Sequence, residues 1–276
     1  FQGVDIALFS AGGKTSRTWG PAAVGAGAWV VDNSSAWRLE DGVPLVVPEI
    51  NGALVAPVTP ASGGGIIANP NCSTIQVAMA VAPLDETFGV TEAHVTTLQA
   101  VSGAGQAAVA ELASQEQGHP PLSESVFPRI IAGNAIPAIG PALPDGSFEE
   151  EAKVVRELRK ILGRQQDLAV TCTATRVPVV TGHSAAVRLV CRQPVDLKRA
   201  VTALEAMPGV TVATDPHGLA TAREIAGDPR VHVGRLRVEV GQPHALLMWV
   251  VADNLLKGAA WNAVQIVDLL TGESAR

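Results

Sequence analysis

An α/β chain is predicted, and three observations predict it. Over the first 71 residues, short apolar strands alternate with helical stretches. Turns rich in Gly, Ser and Asn follow the carboxyl ends of those strands. Beyond Cys72, segments that alternate apolar and polar residues come mostly one after another. The first pattern is that of a doubly wound, Rossmann-like parallel sheet, whose strands are covered on both faces and so are apolar throughout. The last is that of an α+β domain with half-buried strands. With 276 residues, 47% of them hydrophobic, the chain suffices for one large or two medium domains.

Val4–Phe9 reads as a buried strand, followed by Ser10-Ala11-Gly12-Gly13 and a helix from Thr15 to Ala26. Ala28–Asp32 is a second strand, running into the polar turn Asn33-Ser34-Ser35. Leu45–Val47 reads as a third and Gly65–Ala68 as a fourth. In sheets of this kind ligands lie beyond the carboxyl ends of the strands. Ser10–Gly13, Asn33–Ser35 and Asn69–Cys72 therefore share one edge. No Gly-x-Gly-x-x-Gly follows a first strand, the loop by which this architecture holds a dinucleotide, so the sheet is expected to be partial. A helix is predicted from Thr74 to Ala82. Ala93–Gln99 alternates as a half-buried strand and leads through Val101-Ser102-Gly103-Ala104-Gly105 into a helix ending near Gln115. Gln117–Pro128 is polar and Pro-rich, a loop. Ser147-Phe148-Glu149-Glu150 looks like the capped start of a helix to Leu162, with acids first and bases later. Leu168–Thr175, Ala185–Cys191, Val210–Ala213, Val231–Val240 and Ala245–Ala252 are strands. Asn254–Leu270 is a closing helix with apolar spacing near 3.6. The expected divisions are residues 1–71, 72–252 and 253–276.

The net charge of −6 is dispersed and no basic patch stands out, which argues against nucleic acid and anionic membrane surfaces as partners. No apolar run reaches membrane-spanning length and no secretory signal opens the chain. Three widely spaced cysteines, an odd number, argue against a disulfide framework and for a reducing, cytoplasmic setting. No Cys/His pairing has zinc-ligand spacing. Tyrosine is absent, which limits stacking platforms for bases.

Asn69-Pro70-Asn71-Cys72-Ser73-Thr74 places a thiol where a strand turns into a helix. Unpaired N–H groups and the positive end of the helix dipole favour the thiolate there, the nucleophilic form. Ser73 and Thr74 offer hydroxyls to cap the helix. A buried structural cysteine is the plainer reading of any one Cys, but the strand–turn–Cys–helix setting favours a covalent catalyst. Gln99 ends a strand before a Gly-Ala-Gly loop, either orienting a carbonyl at Cys72 or merely closing the strand. Arg176 and His183 are seven apart, which on a straight strand means opposite faces. Pro178 and Gly182 permit a bend that brings both to one pocket. There Arg176 suits a carboxylate and His183 suits acid–base work beside a thiolate. Glu150 and Lys153 share a helix face, as a solvated ion pair or as holders of an amine and an anion. Arg38, near the ligand edge, is a phosphate holder or an ordinary loop arginine. Cys172 and Cys191 lie within strand patterns and are assigned to packing.

Together these stretches resemble the aspartate-semialdehyde dehydrogenase family in its bacterial form. The resemblance rests on Phe9-Ser-Ala-Gly-Gly13, Val31-Asp-Asn-Ser-Ser-Ala36, Ile66–Thr74, Gln99–Gly105, Arg176-Val-Pro-Val, Gly182-His183-Ser184, Val233–Arg237 and Asp253–Ala260, with Asn262 and Gln265. It covers nearly the whole chain. It implies a second domain of the glyceraldehyde-3-phosphate-dehydrogenase-like type, serving catalysis and dimerisation over 72–252. Residues 1–71 would be the C-terminal part of an NADP-binding domain, and 253–276 a helix packing back on it. By the same resemblance Cys72 is the nucleophile, Gln99 orients the intermediate and His183 is the acid–base. Arg176 holds the substrate carboxylate, Glu150 its amino group, and Arg38, Asn71 and Lys153 the phosphate. Ser10, Ala11, Gly12, Gly13, Ser34, Ser35, Ser102, Gly103 and Asn254 belong to the NADP pocket, and no metal is implied. The implied reaction reduces L-aspartyl 4-phosphate to L-aspartate 4-semialdehyde through a Cys72 thioester, in lysine, threonine, methionine and diaminopimelate biosynthesis. A homodimer or dimer of dimers is implied as the assembly. The chain departs from the family pattern at Leu98, where a Tyr usually precedes the Gln. It departs also in lacking the N-terminal Gly-rich loop, as if roughly two strands and a helix were left off. The related N-acetyl-glutamyl-phosphate reductases share the thioester logic but usually carry Gly in place of Asn71. A non-catalytic, dimerising remnant is the other alternative.

Overall fold

A computed structural model describes residues 1–57, 63–119, 124–215 and 217–272. The loop expected over Gln117–Pro128 falls partly outside the described residues.

The first sheet is parallel, in the order β1 (Ile6–Phe9), β2 (Trp29–Asp32), β3 (Gly65–Ala68). Ile6, Trp29 and Gly65 are in register. Helix α1 (Gly13–Gly25) crosses between β1 and β2 and packs Ala23 against Ala28 and Val30. Contrary to expectation, β1 is not buried: Leu8 is 57% exposed. Among the described residues β1 pairs on one side only, with β2. Leu45–Val47 forms no strand but a single parallel bridge, Leu45 to Ala68. The reason is local. The side chain of Asn51, in α2 (Pro48–Asn51), accepts from Val47 N–H at 2.9 Å and donates to Leu45 C=O at 2.9 Å. Those bonds lie on the edge away from β3; on the β3 side the ladder stops because Pro48 and Pro70 have no N–H to extend it.

Helix α3 (Cys72–Phe88) runs past Ala82, and through Pro83, to a left-handed Gly89. Residues 73–84 are buried without a break, and packing carries the helix over the hydrogen bond that Pro83 cannot make. On α3 lies a six-stranded sheet in the order β5-β4-β6-β9-β8-β7. Its strands are β4 (Val90–Gln99), β5 (Ala169–Arg176), β6 (His183–Cys191), β7 (Val210–Val212), β8 (Val231–Glu239) and β9 (Gln242–Ala252). The β4/β5 and β7/β8 pairs are parallel and the rest antiparallel. Ile75, Met79, Leu84 and Phe88 of α3 share one core with Leu45 and Val47 and with Val95, Val187, Leu189 and Met248 of this sheet.

Helix α4 (Gln106–Glu116) follows β4, and α5 (Glu149–Ile161) precedes β5. The start of α5 is held by Glu151, whose carboxylate accepts from Phe148 N–H at 2.8 Å, while the Ser147 hydroxyl donates instead to Asp145. Helix α6 (Leu197–Ala206) was not expected from the sequence. Its signal is Asp196, which caps it by accepting from Arg199 N–H at 3.0 Å. The closing helix begins later than Asn254. The Asp253 carboxylate accepts from Leu255 and Leu256 N–H, a π-turn spans Leu256–Ala260, and α7 (Trp261–Thr271) follows. Ala263, Ile266 and Leu270 of α7 pack on Val31 and Ile67 of the first sheet and on Val46 beside it. Among the described residues no helix is long and apolar enough to cross a membrane.

Candidate functional site

Three strand ends and one helix start meet. Because β4 lies between β5 and β6, Gln99 is in register with Arg176, and Leu98 with Ser184 beside His183. This sheet order, rather than a bend in one strand, places Arg176 and His183 together. A Cβ built on Gly103 would lie 3.1 Å from both Arg176 Nη1 and His183 Nε2, so any larger residue there would press the two side chains apart by a few tenths of an ångström. Cys72, the first residue of α3, faces the same place.

A cavity of about 560 Å³ is lined by Cys72, Asn71, Gln99, Glu150, Lys153, Arg176 and Arg38. The same wall includes Ser10, Asn33, Ser35, Ser102, Gly103 and Asn254. Ala11, Gly12, Gly13 and Ser34 stand outside it. The Ser34 hydroxyl donates to Asp32 at 2.7 Å, while Gly12 (φ +83°) turns the chain into α1. His183 is buried behind this wall, next to Gly103.

Cap duty falls to Asn71, not to Ser73 or Thr74. Its Oδ1 accepts from Ser73 N–H (2.9 Å) and Thr74 N–H (3.2 Å), and its Nδ2 donates to Glu150 Oε1 (2.8 Å). Glu150 Oε1 also accepts from Gln99 Nε2 at 3.1 Å, and Thr97 Oγ1 donates to Gln99 Oε1 at 3.0 Å. The orientation of Gln99 is thus fixed from both ends. Lys153 lies 3.9 Å from Glu150 and 3.2 Å from Glu149, so it has an ion partner and still reaches the cavity. Arg176 Nη1 donates to Ala100 C=O at 2.7 Å.

Glu157 is the residue that the sequence reading missed. It is buried, it accepts from Arg38 Nη1 at 3.1 Å, and it accepts from Asn71 N–H at 2.6 Å. One carboxylate therefore ties Arg38 to the turn that carries Cys72. Burial raises its pKa, against the pull of Arg38 and of the Asn71 N–H. The signal was its spacing: Glu150 and Glu157, at i and i+7, share a helical face.

The electrostatics oppose the expected thiolate. Burial, and then the Glu150 charge, push the Cys72 thiol up to about 12, although Arg38, Arg176 and the Ser73 backbone all pull it down. Burial and the nearby Arg176 press His183 down to about 3, so its imidazole is neutral. His183 Nδ1 accepts from Ala100 N–H at 3.0 Å, so the neutral ring carries its proton on Nε2. Among the described residues that buried Nε2 has no partner. Cys172 and Cys191 point into or beside the core, and burial raises both thiols. Among the described residues all three cysteines are free and no His/Cys/Asp/Glu cluster has metal-holding geometry.

Residues 1–56 match a family model described as semialdehyde dehydrogenase, NAD binding domain, and residues 81–257 one described as semialdehyde dehydrogenase, dimerisation domain. The aspartate-semialdehyde dehydrogenase of Aquifex aeolicus is 43% identical over 279 residues, covering 99% of this chain and 81% of the relative. That of Legionella pneumophila is 44% identical over 283 residues, covering 99% and 79%. Among solved structures, aspartate semialdehyde dehydrogenase II of Vibrio cholerae complexed with ASA superposes with a TM-score of 0.90 at 39% identity, covering 99% of this chain and 81% of that one. These relatives carry the aspartate name, which lends no support to a glutamate-series reductase or a remnant.

Proposed function

We propose the reaction from one premise, that the chain belongs to the aspartate-semialdehyde dehydrogenase family of oxidoreductases. The reading is NADP-dependent interconversion of L-aspartyl 4-phosphate and L-aspartate 4-semialdehyde. The observation that carries it is one cavity in which the Cys72 thiol shares a wall with three cations, Arg38, Lys153 and Arg176, and one carboxylate, Glu150. A substrate with a carboxylate, an amine and a phosphate needs that charge set.

In the biosynthetic direction Cys72 Sγ attacks C4 of the acyl phosphate. The C–S bond forms, the C–O bond to phosphate breaks, the thiol proton leaves with the phosphate, and a Cys72 thioester remains. Phosphate leaves beside Arg38 and Lys153. Arg176 holds the substrate carboxylate and Glu150 its ammonium, which sets C4 over the sulfur. A bound nicotinamide dinucleotide supplies the reducing equivalent. The residues present fit it: Ser10, Asn33, Ser35, Ser102 and Asn254 bring neutral hydroxyls and amides to one side of the cavity, and Asp32 is turned inward onto Ser34. Gln99 donates to the oxygen at C4. With Nδ1 accepting from Ala100 N–H, His183 keeps its Nε2 proton and offers it as a hydrogen bond as the C–S bond breaks and the aldehyde departs, and the Cys72 thiolate regains its proton from water. Two copies associate through the dimerisation domain, in the cytoplasmic setting that free cysteines fit.

The test is phosphate-dependent reduction of NADP⁺ with L-aspartate 4-semialdehyde, run in parallel with NAD⁺. Turnover that needs phosphate and vanishes in Cys72→Ala is the expected result. Turnover that survives Cys72→Ala overturns the assignment, and a preference for NAD⁺ overturns the cofactor choice.

A further inference from the structure

Away from the reacting groups, a cation is sealed in the interface between α2, the π-turn and α7. Lys257 is 1% exposed. Its Nζ donates to Glu49 Oε1 (2.8 Å) and Oε2 (2.7 Å), to Asn262 Oδ1 (3.0 Å) and to Gln265 Oε1 (2.7 Å). Burial lowers its pKa while Glu49 raises it. The reaction proposed above has no use for this ammonium. A buried ion pair is weak evidence of stability in itself, since well-packed apolar residues often do as well.

What the ammonium does is impose a direction. It can only donate, so Asn262 must turn its oxygen towards it. Asn262 Nδ2 then donates to Asn69 Oδ1 at 2.7 Å. Asn69 Nδ2 donates in turn to Asn33 Oδ1 at 2.7 Å, and Asn33 Nδ2 to Ser10 Oγ at 3.3 Å. Three amides in series thus point one way, with the Lys257 charge at the head of the line and the carbonyls of Val46 and Ala259 accepting from Asn262 (3.0 Å) and Asn69 (3.3 Å) along it. Asn33 and Ser10 line the cavity. Having accepted from Asn33, the Ser10 hydroxyl keeps its own proton free to donate into it. Arg38 braces the same residues by donating to the backbone oxygens of Asn69 (2.9 Å) and Asn33 (2.9 Å).

We infer that Lys257 is a positioning residue: through Asn262, Asn69 and Asn33 it sets the hydrogen-bond direction of the dinucleotide side of the site, leaving Ser10 as a donor to an oxygen of the cofactor. This rests on the dinucleotide reading above. Lys257 touches neither ligand nor thiol.

Removing Lys257 alone strands the Glu49 carboxylate, so the test uses the neutral pair Lys257→Met/Glu49→Gln, with Asn262→Leu, which cuts the line and keeps the ion pair. In both variants the Kd for NADP⁺ by calorimetry, and its KM, are expected to rise about tenfold, with the KM for phosphate within twofold of wild type. In protein labelled with ¹⁵N-asparagine, the side-chain amide signals of Asn69 and Asn33 are expected to shift and to exchange faster with water. Unmoved amide signals overturn the inference, as does loss of phosphate and dinucleotide affinity in step with melting temperature. The amide signals report on the relay even in a protein that binds no dinucleotide. Absence of dinucleotide binding by wild type thus sinks the functional reading separately.

Discussion

Gly258 offers the sharpest test of how closely the nucleophile is packed. It lies in the π-turn, and a Cβ built on it would stand 2.9 Å from Cys72 Cβ and 3.3 Å from Cys72 Cα. Ordinary carbon–carbon contact is about 3.5–4.0 Å, so Gly258→Ala demands a retreat of about 0.6–1.1 Å. Neither partner is a flexible side-chain tip: one is the π-turn backbone, the other the first residue of a buried helix. A misplacement of about 1 Å at a reacting group costs about 10²-fold in rate. The expected fall in kcat is therefore about 10- to 100-fold, or about 1.4–2.7 kcal/mol in the barrier. Gly258 is not at positive φ, and alanine in a helical turn is favoured over glycine by about 1 kcal/mol, so backbone strain does not confuse the result. The assay is steady-state kcat with saturating phosphate and semialdehyde, beside a thermal melt. Wild-type kcat refutes the reasoning. A fall in kcat matched by a fall in melting temperature assigns the effect to folding instead.

Three further outcomes follow from the same geometry. Glu150→Gln removes a charge that raises the Cys72 thiol, so the pH profile of Cys72 alkylation should move to lower pH. The semialdehyde KM should meanwhile rise about 10- to 100-fold as a charge-assisted contact is lost. A His183 held near 3 in the fold but near 6.5 when unfolded leaves the unfolded chain with more bound protons between those values. Its share of stability is complete above pH 6.5 and lost as pH falls, with a slope approaching about 1.4 kcal/mol per unit. Denaturant unfolding of His183→Gln should lack that slope. Gly182 has φ +94°, and its added Cβ would meet Ala222 C=O at 2.8 Å. Gly182→Ala should cost about 1–3 kcal/mol for the backbone alone, with more from the clash, and show as a lower melting temperature.

Strand and helix periodicity made most of the fold legible, and the failures have physical causes. Val4–Phe9 is as apolar as a central strand, and among the described residues it pairs with β2 alone, which leaves Leu8 exposed. Leu45–Val47 has strand composition, but Pro48 and Pro70 lack the N–H groups that would extend its ladder to β3. Pro83 reads as a helix stop, and tertiary burial overrides it. Around the cavity, residues that motifs single out come together: Cys72, Gln99, Glu150, Arg176 and Arg38 share one wall. The buried charges that brace them are not legible in the same way. Glu157 and Lys257 look like ordinary surface charges in helical sequence, and only the packing of α5 and the π-turn against distant segments shows them buried and paired.

Cys72 shows why a local rule is not enough. A helix start, two arginines and a backbone N–H all favour its thiolate, and by the helix-terminus argument alone the thiol should be acidic. Burial and Glu150 win, and the thiol stays protonated. On the proposed assignment, Glu150 is the group that receives the substrate's ammonium. Binding would then cancel the charge that most opposes the thiolate after burial, leaving Arg38 and Arg176 to act. The same carboxylate would hold Asn71 and Gln99 in place while the site is empty. The nucleophile would thus be least reactive when unaccompanied, and its activation would depend on the amine that distinguishes the substrate from other acyl phosphates.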